Sequence, residues 1–264
     1  MSAIDQLFVN LRQQGRKAFM PFITAGDPHL EFTSHLLTQL NRLGCHLAEV
    51  GIPYSDPIAD GPVIQASYTR ALGKHVKLRE IFDCVERLKP QLTMPLVTMV
   101  SYASIHRVGL EHYVESAMQA GFSGAIVPDL LVEESGPLAA ICRQRDFSLI
   151  QLVTPTTPPE RAVRIAESSS GFLYFVSVTG ITGERTELPA GLVDRVDWLR
   201  QRTPLPICIG FGISRPEHVR LLAPVADGLI VGSAIVRHLT DAASHPAEAS
   251  AKIEQLVSEL MAAL

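Results

Sequence analysis

Three carboxylates stand close together in one stretch of this chain. They are Glu49, Asp56 and Asp60, within Glu49-Val50-Gly51-Ile52-Pro53-Tyr54-Ser55-Asp56-Pro57-Ile58-Ala59-Asp60-Gly61-Pro62. The apolar pair Leu47-Ala48 reads as the end of a buried strand that delivers Glu49 where the strand should stop. A loop rich in Pro, Gly and Asp follows, and a helix is predicted to begin near Pro62. Carboxylates at a strand end and in the loop after it suit proton transfer at the mouth of an α/β fold. Aspartate is also a common turn and N-cap residue. Spacing alone therefore leaves Glu49 open between chemistry and structure, offers Asp56 and Asp60 a turn or N-cap role, and favours that role at Asp56.

The elements that must position these groups are legible as apolar runs. Eight recur, at residues 19–25, 47–51, 95–101, 124–128, 148–153, 172–177, 206–210 and 228–231. They are continuous rather than alternating, as in strands buried on both faces of a parallel sheet. Helical patterns lie between them, such as the stripe of Phe32, Leu36, Leu37, Leu40 and Leu43 over residues 30–43. Similar patterns cover residues 78–88, 110–120, 133–144, 159–168, 192–201, 215–222 and 247–261. Eight βα units in 264 residues predict a single-domain (β/α)8 TIM barrel over residues 1–264, with an extra N-terminal helix in the amphipathic stretch 1–17. A doubly wound sheet would carry a Gly-x-Gly-x-x-Gly turn after its first strand, and Gly26-Asp27-Pro28 is not one.

Bulk properties remove other classes. The chain is 47% hydrophobic with a net charge of -4 and no basic run, which argues against a nucleic-acid surface. No stretch approaches the roughly 20 apolar residues of a membrane span, and residues 1–17 contain no apolar core of a signal peptide. The four cysteines, Cys45, Cys84, Cys142 and Cys208, form no Cys-x-x-Cys pair and read as buried thiols. The nine histidines show no metal-ligand spacing. No metal site is expected, and the expected compartment is the cytoplasm.

In a barrel of this kind the chemistry sits on the loops after the strands. Three of those loops suit a phosphate: Gly180-Ile181-Thr182-Gly183, Gly210-Phe211-Gly212-Ile213-Ser214 and Gly232-Ser233-Ala234. Glycine lets backbone amides approach an anion closely, and a short helix is predicted after the last group. The same glycines could simply turn the chain, but three such groups at the ends of successive strands favour the phosphate site. A Schiff-base aldolase needs a lysine at a strand end. Lys17, Lys74, Lys77, Lys89 and Lys252 are the only lysines, and none falls there. What remains is acid–base work by carboxylates on a phosphorylated small molecule.

These motifs, in this order, resemble those of the tryptophan synthase alpha chain family along nearly the whole sequence. Pro21-Phe22-Ile23-Thr24-Ala25-Gly26-Asp27-Pro28 is similar to the family's first strand and turn, and Glu49 to Pro62 to its signature. Pro128-Asp129-Leu130 followed by Glu133-Glu134 resembles the turn after its fourth strand. The three glycine groups resemble its substrate loop and phosphate segments. The resemblance implies retro-aldol cleavage of indole-3-glycerol phosphate to indole and glyceraldehyde 3-phosphate. Glu49 would be the general acid and base, and Asp60 would accept the indole N–H. Phe22, Tyr102, Leu152 or Val153, Tyr174 and Phe211 would line the indole slot. Thr182 would orient Asp60, and amides of Gly183, Gly212, Gly232 and Ser233 would hold the phosphate.

A partner is implied as well, a pyridoxal-phosphate-dependent beta subunit in an alpha2-beta2 assembly, with no cofactor in this chain. Asp56, Pro57 and the loop from Tyr102 to Gly109, Ser104 included, would meet it. In that loop Ser104-Ile105 replaces the family's usual Asn-Pro, which bears on the beta contact and its coupling but not on the reaction. Rival readings are a free-standing lyase of the same family, a catalytically weak subunit that activates its partner, and a different phosphate-binding barrel such as a sugar-phosphate isomerase.

Overall fold

In the computed structural model, which describes residues 1–57, 60–176, 191–210 and 212–264, the eight apolar runs become nine parallel strand segments. These are β1 (Ala18–Thr24), β2 (Ala48–Gly51), β3 (Leu96–Met99), β4 (Phe122–Ile126), β5 (Ser148–Ile150), β6 (Leu152–Val153), β7 (Leu173–Val176), β8 (Ile207–Gly210) and β9 (Gly228–Val231). The pairing order is β5-β4-β3-β2-β1-β9-β8-β7-β6. The two ends of that order, β5 and β6, are consecutive pieces of one run separated by Gln151 alone. The sheet therefore closes on itself as a barrel, and the predicted fifth strand is split at its polar residue. Gln151 keeps one ladder bond, its carbonyl accepting from the Tyr174 amide at 3.1 Å.

The helices are α1 (Ala3–Gln13), α2 (Leu30–Arg42), α3 (Pro62–Leu72), α4 (Leu78–Leu88), α5 (Tyr102–Val108), α6 (Leu110–Ala120), α7 (Gly136–Gln144), α8 (Pro159–Ser168), α9 (Leu192–Arg200), α10 (Pro216–Leu222), α11 (Ser233–Val236), α12 (Leu239–Ala242) and α13 (Pro246–Met261). Every position of β1 is buried, as a strand covered on both faces requires. α1 is the expected N-terminal helix, started by a capping box in which Ser2 Oγ accepts from the Asp5 amide and Asp5 from the Ser2 amide. Its apolar face of Ile4, Phe8 and Leu11 is buried, and the Phe8 ring lies 5.8 Å from that of Phe172, just before β7. α1 thus plugs the end of the barrel opposite the strand C-termini.

One predicted loop is a helix. Residues 102–108 of the expected Tyr102 to Gly109 loop form α5, where Ser101 Oγ accepts from the Ser104 amide and no proline removes a donor. Gly109, at φ 93°, separates α5 from α6. No helix among the described residues is long and apolar enough to cross a membrane.

Candidate active site

Glu49 occupies the second position of β2, beside Phe22 on β1 and Val97 on β3. It is 0% exposed, and neither carboxylate oxygen has a hydrogen-bond partner among the described residues. Burial, reinforced by the charge of Asp60, pushes its pKa well above the ordinary carboxylate range. Burial therefore favours the protonated form of Glu49 over what a free carboxyl group would hold. Asp60, just ahead of α3, is half-buried, its Oδ2 has no partner among the described residues, and burial raises its pKa to about 6. Burial raises both carboxyl groups, and a pKa of about 6 leaves Asp60 mostly ionised near neutrality.

Both line one cavity of about 460 Å³ at the C-terminal mouth of the barrel. Phe22, Tyr174, Gly212, Gly232 and Ser233 line it too, so these predicted residues are brought together. Of the open pair, Leu152 lines the cavity, whereas Val153 is not among its walls. The apolar remainder of the wall comes chiefly from Ile64, Met99, Val127, Leu130, Val132, Ile165, Val176 and Ile230. Thr182, Gly183 and Phe211 lie outside the described residues.

Two glycines make room for these walls. A side chain at Gly51 would begin 2.5 Å from Phe22 Cζ and 2.7 Å from Tyr68 Oη. One at Gly210 would collide with the Tyr174 hydroxyl.

Tyr102 is not among the lining residues. It starts α5, where its amide donates to Asp129 Oδ1 at 2.8 Å and its ring packs 6.1 Å from that of His106. Of the predicted contact residues, Asp56 is exposed, Ser104 half-buried and Pro57 buried. Sequence reasoning did not single out Tyr68, Gln151 or Arg161. Tyr68 is 1% exposed, its hydroxyl has no partner among the described residues, and its ring lies 5.5 Å from that of Tyr54. A helical stripe hides such a residue, because a tyrosine there reads as ordinary core. Gln151, whose Nε2 has no partner among the described residues, carried a signal: it is the polar break in an apolar strand run. Arg161 reaches the cavity wall while both of its terminal nitrogens bond Glu133 at 2.8 Å. Among the described residues no three His, Cys, Asp or Glu side chains gather as a metal site would need.

A sequence model described as "Tryptophan synthase alpha chain" matches residues 8–264. The chain is 62% identical over 245 residues to the tryptophan synthase alpha chain of Rhodopirellula baltica, covering 92% of this chain and 88% of that one. It is 44% identical to that of Synechocystis, covering 100% of each. Among solved structures it is similar to tryptophan synthase subunit alpha of Legionella pneumophila, with a TM-score of 0.91 at 31% identity over 100% of this chain and 98% of that one. A chain of the tryptophan synthase complex from Pyrococcus furiosus gives a TM-score of 0.84 at 34% identity, over 93% and 98%.

Proposed function

Because the chain belongs to the tryptophan synthase alpha chain family, we propose that its cavity cleaves indole-3-glycerol phosphate to indole and glyceraldehyde 3-phosphate, for L-tryptophan synthesis with a beta subunit. The observation that carries the reading is Glu49: a carboxyl group sealed in the barrel wall, without a hydrogen-bond partner among the described residues and facing the same cavity as Asp60.

Cleavage of the bond between indole C3 and the glycerol chain needs a proton at C3 and removal of a proton from the adjacent hydroxyl. Protonated Glu49 delivers the first. The ring nitrogen then carries positive charge, which Asp60 stabilises by accepting the indole N–H. The carboxylate left on Glu49 takes the hydroxyl proton as the carbon–carbon bond breaks, giving the aldehyde and indole and restoring the acid. No metal or Schiff base enters this scheme. Phe22, Leu152 and Tyr174 form an apolar, partly aromatic wall suited to the indole ring. Backbone amides at Gly212, Gly232 and Ser233 are assigned to the phosphate, together with Gly183. Thr182, Phe211 and Tyr102 keep their family roles only as expectations, since the first two lie outside the described residues and Tyr102 lies off the cavity wall.

The beta subunit, carrying the pyridoxal phosphate, is assigned to the face of Asp56, Pro57 and Ser104 in an alpha2-beta2 assembly, in the cytoplasm. Indole release from indole-3-glycerol phosphate, by the chain alone and then with a beta subunit, tests the reading. Slow release that rises sharply with the partner supports it. Fast release alone points to a free-standing lyase, and no indole in either case defeats it.

A further inference from the structure

The turn that carries Gly212 is held from behind by a buried histidine. His218, on α10, is 2% exposed, and its Nδ1 accepts a hydrogen bond from the Ser214 amide at 3.3 Å. Its Nε2 is buried with no partner among the described residues. A neutral imidazole has one donor and one acceptor nitrogen, so an accepting Nδ1 puts the proton on Nε2. That leaves the Nε2 proton without an acceptor among the described residues, which lowers stability.

Between Gly212 and His218 the chain has a second anchor, Ile213, which is 2% exposed. Gly212 itself sits at φ 78°, in the left-handed region, and lines the active-site cavity. Gly212, Ile213 and Ser214 therefore lead from the cavity wall towards α10, with Ile213 held in the core and the Ser214 amide held by His218. Burial, with the charge of Arg215, lowers the ring's pKa, while the nearby Gly212 backbone opposes this. The neutral, accepting form is favoured.

We infer that His218 is a positioning residue for substrate binding: its Nδ1 holds the Ser214 amide and so fixes the Gly212 turn against the phosphate end of the cavity. The inference rests on the proposed assignment of Gly212 to the phosphate. The same bond also resembles a device that starts α10, since His218 is its third residue. The two roles separate cleanly. Loss of a helix cap costs stability and leaves substrate affinity alone, whereas loss of the turn weakens the hold on phosphate.

The test compares wild type with His218→Leu, which removes both the acceptor and the Nε2 donor, and with His218→Asn, whose carbonyl oxygen lies near the position of Nδ1. The quantities are KM and kcat for indole-3-glycerol phosphate, inhibition by glyceraldehyde 3-phosphate and by indole separately, and the thermal midpoint. We expect His218→Leu to raise KM and weaken glyceraldehyde 3-phosphate inhibition by about three- to tenfold, the worth of one hydrogen bond. Indole inhibition and kcat should hold, the midpoint should not fall, and His218→Asn should restore KM. An unchanged KM, an equal loss of indole affinity, or an Asn variant as weak as Leu overturns the inference. Wild type that neither cleaves the substrate nor responds to glyceraldehyde 3-phosphate would instead defeat the functional reading itself. Should His218→Leu not fold, His218→Met carries the same comparison, its flexible side chain fitting irregular space.

Discussion

Arg70 closes on Asp27 with two hydrogen bonds, Nε to Oδ1 at 3.1 Å and Nη2 to Oδ2 at 2.7 Å. The Asp27 side chain is wholly buried, and the Ser67 hydroxyl also donates to its Oδ2. One turn further on, Lys74 Nζ donates to the Pro28 carbonyl at 2.5 Å. Ser67 and Arg70 lie on one face of α3, with Lys74 just past its end on the same side, so the helix is pinned to the turn after β1. The pinned helix starts immediately after Asp60 and Gly61 and sends Ile64 into the cavity. A structural ion pair thereby sets where the second carboxylate stands.

Removing Arg70 should expose that dependence. Arg70→Ala leaves a buried carboxylate without its counter-charge, and unfolding by denaturant should show a loss of about 3 kcal/mol, the low end for buried pairs. The low end applies because the Arg70 side chain is itself 32% exposed. Arg70→Lys keeps the charge but not the fork and should fall between. In folded protein kcat/KM should also drop, and a variant that is destabilised yet fully active would show that the clamp does not position Asp60.

Glu49→Gln separates activity from stability. The amide cannot exchange a proton, so kcat should fall by about 10²–10⁴-fold. The folded-state pKa of Glu49 lies well above its ordinary value of 4.5. Above that value the unfolded chain carries an ionised Glu49 while the folded chain binds a proton, so wild-type stability declines as pH rises from there towards the folded pKa. Glutamine is neutral in both states. The thermal midpoint of the variant should exceed that of wild type near neutral pH, and the gap should close in acid. A lower midpoint at neutral pH would mean that Glu49 is held by partners and is not simply desolvated.

Asp60 should set the acid limb of the pH profile. Its pKa is raised to about 6, so its charged form prevails above that value. The kcat/KM of the chain should fall as pH falls through about 6. Asp60→Asn should be slow at every pH and lack this limb. A limb that survives the substitution would assign it to another group.

Gly51→Ala probes the packing beneath the cavity. The added methyl would begin 2.5 Å from Phe22 Cζ and 2.7 Å from Tyr68 Oη, and must displace one of them. Overpacking of this kind costs about 1–3 kcal/mol. Phe22 lines the cavity, so indole affinity should weaken together with stability. Stability lost with indole affinity intact would place the shift on Tyr68 alone.

The amino-acid sequence by itself determined the repeating βα order, the barrel class, the N-terminal helix and the placing of Glu49 on β2, because these follow from local periodicity and from turn and cap chemistry. Glu49, Asp60 and the cavity glycines Gly212 and Gly232 were legible for the same reason: each sits at or beside a strand end, and a barrel gathers strand ends. The break of the fifth strand at Gln151 left only a faint mark, one polar residue in an apolar run. The stretch from Tyr102 to Gly109 was read as a loop because a short helix capped by Ser101 has no apolar stripe long enough to announce it. Only the tertiary structure decided which ordinary-looking side chains meet: Arg70 with Asp27, Tyr68 with Gly51, and His218 with the Ser214 amide. The first two pairs join residues on different elements, and the third depends on a turn whose shape is set by Ile213 in the core. The pKa of Glu49 was likewise decided by the fold, because desolvation is a property of everything packed around a group and of no residue alone.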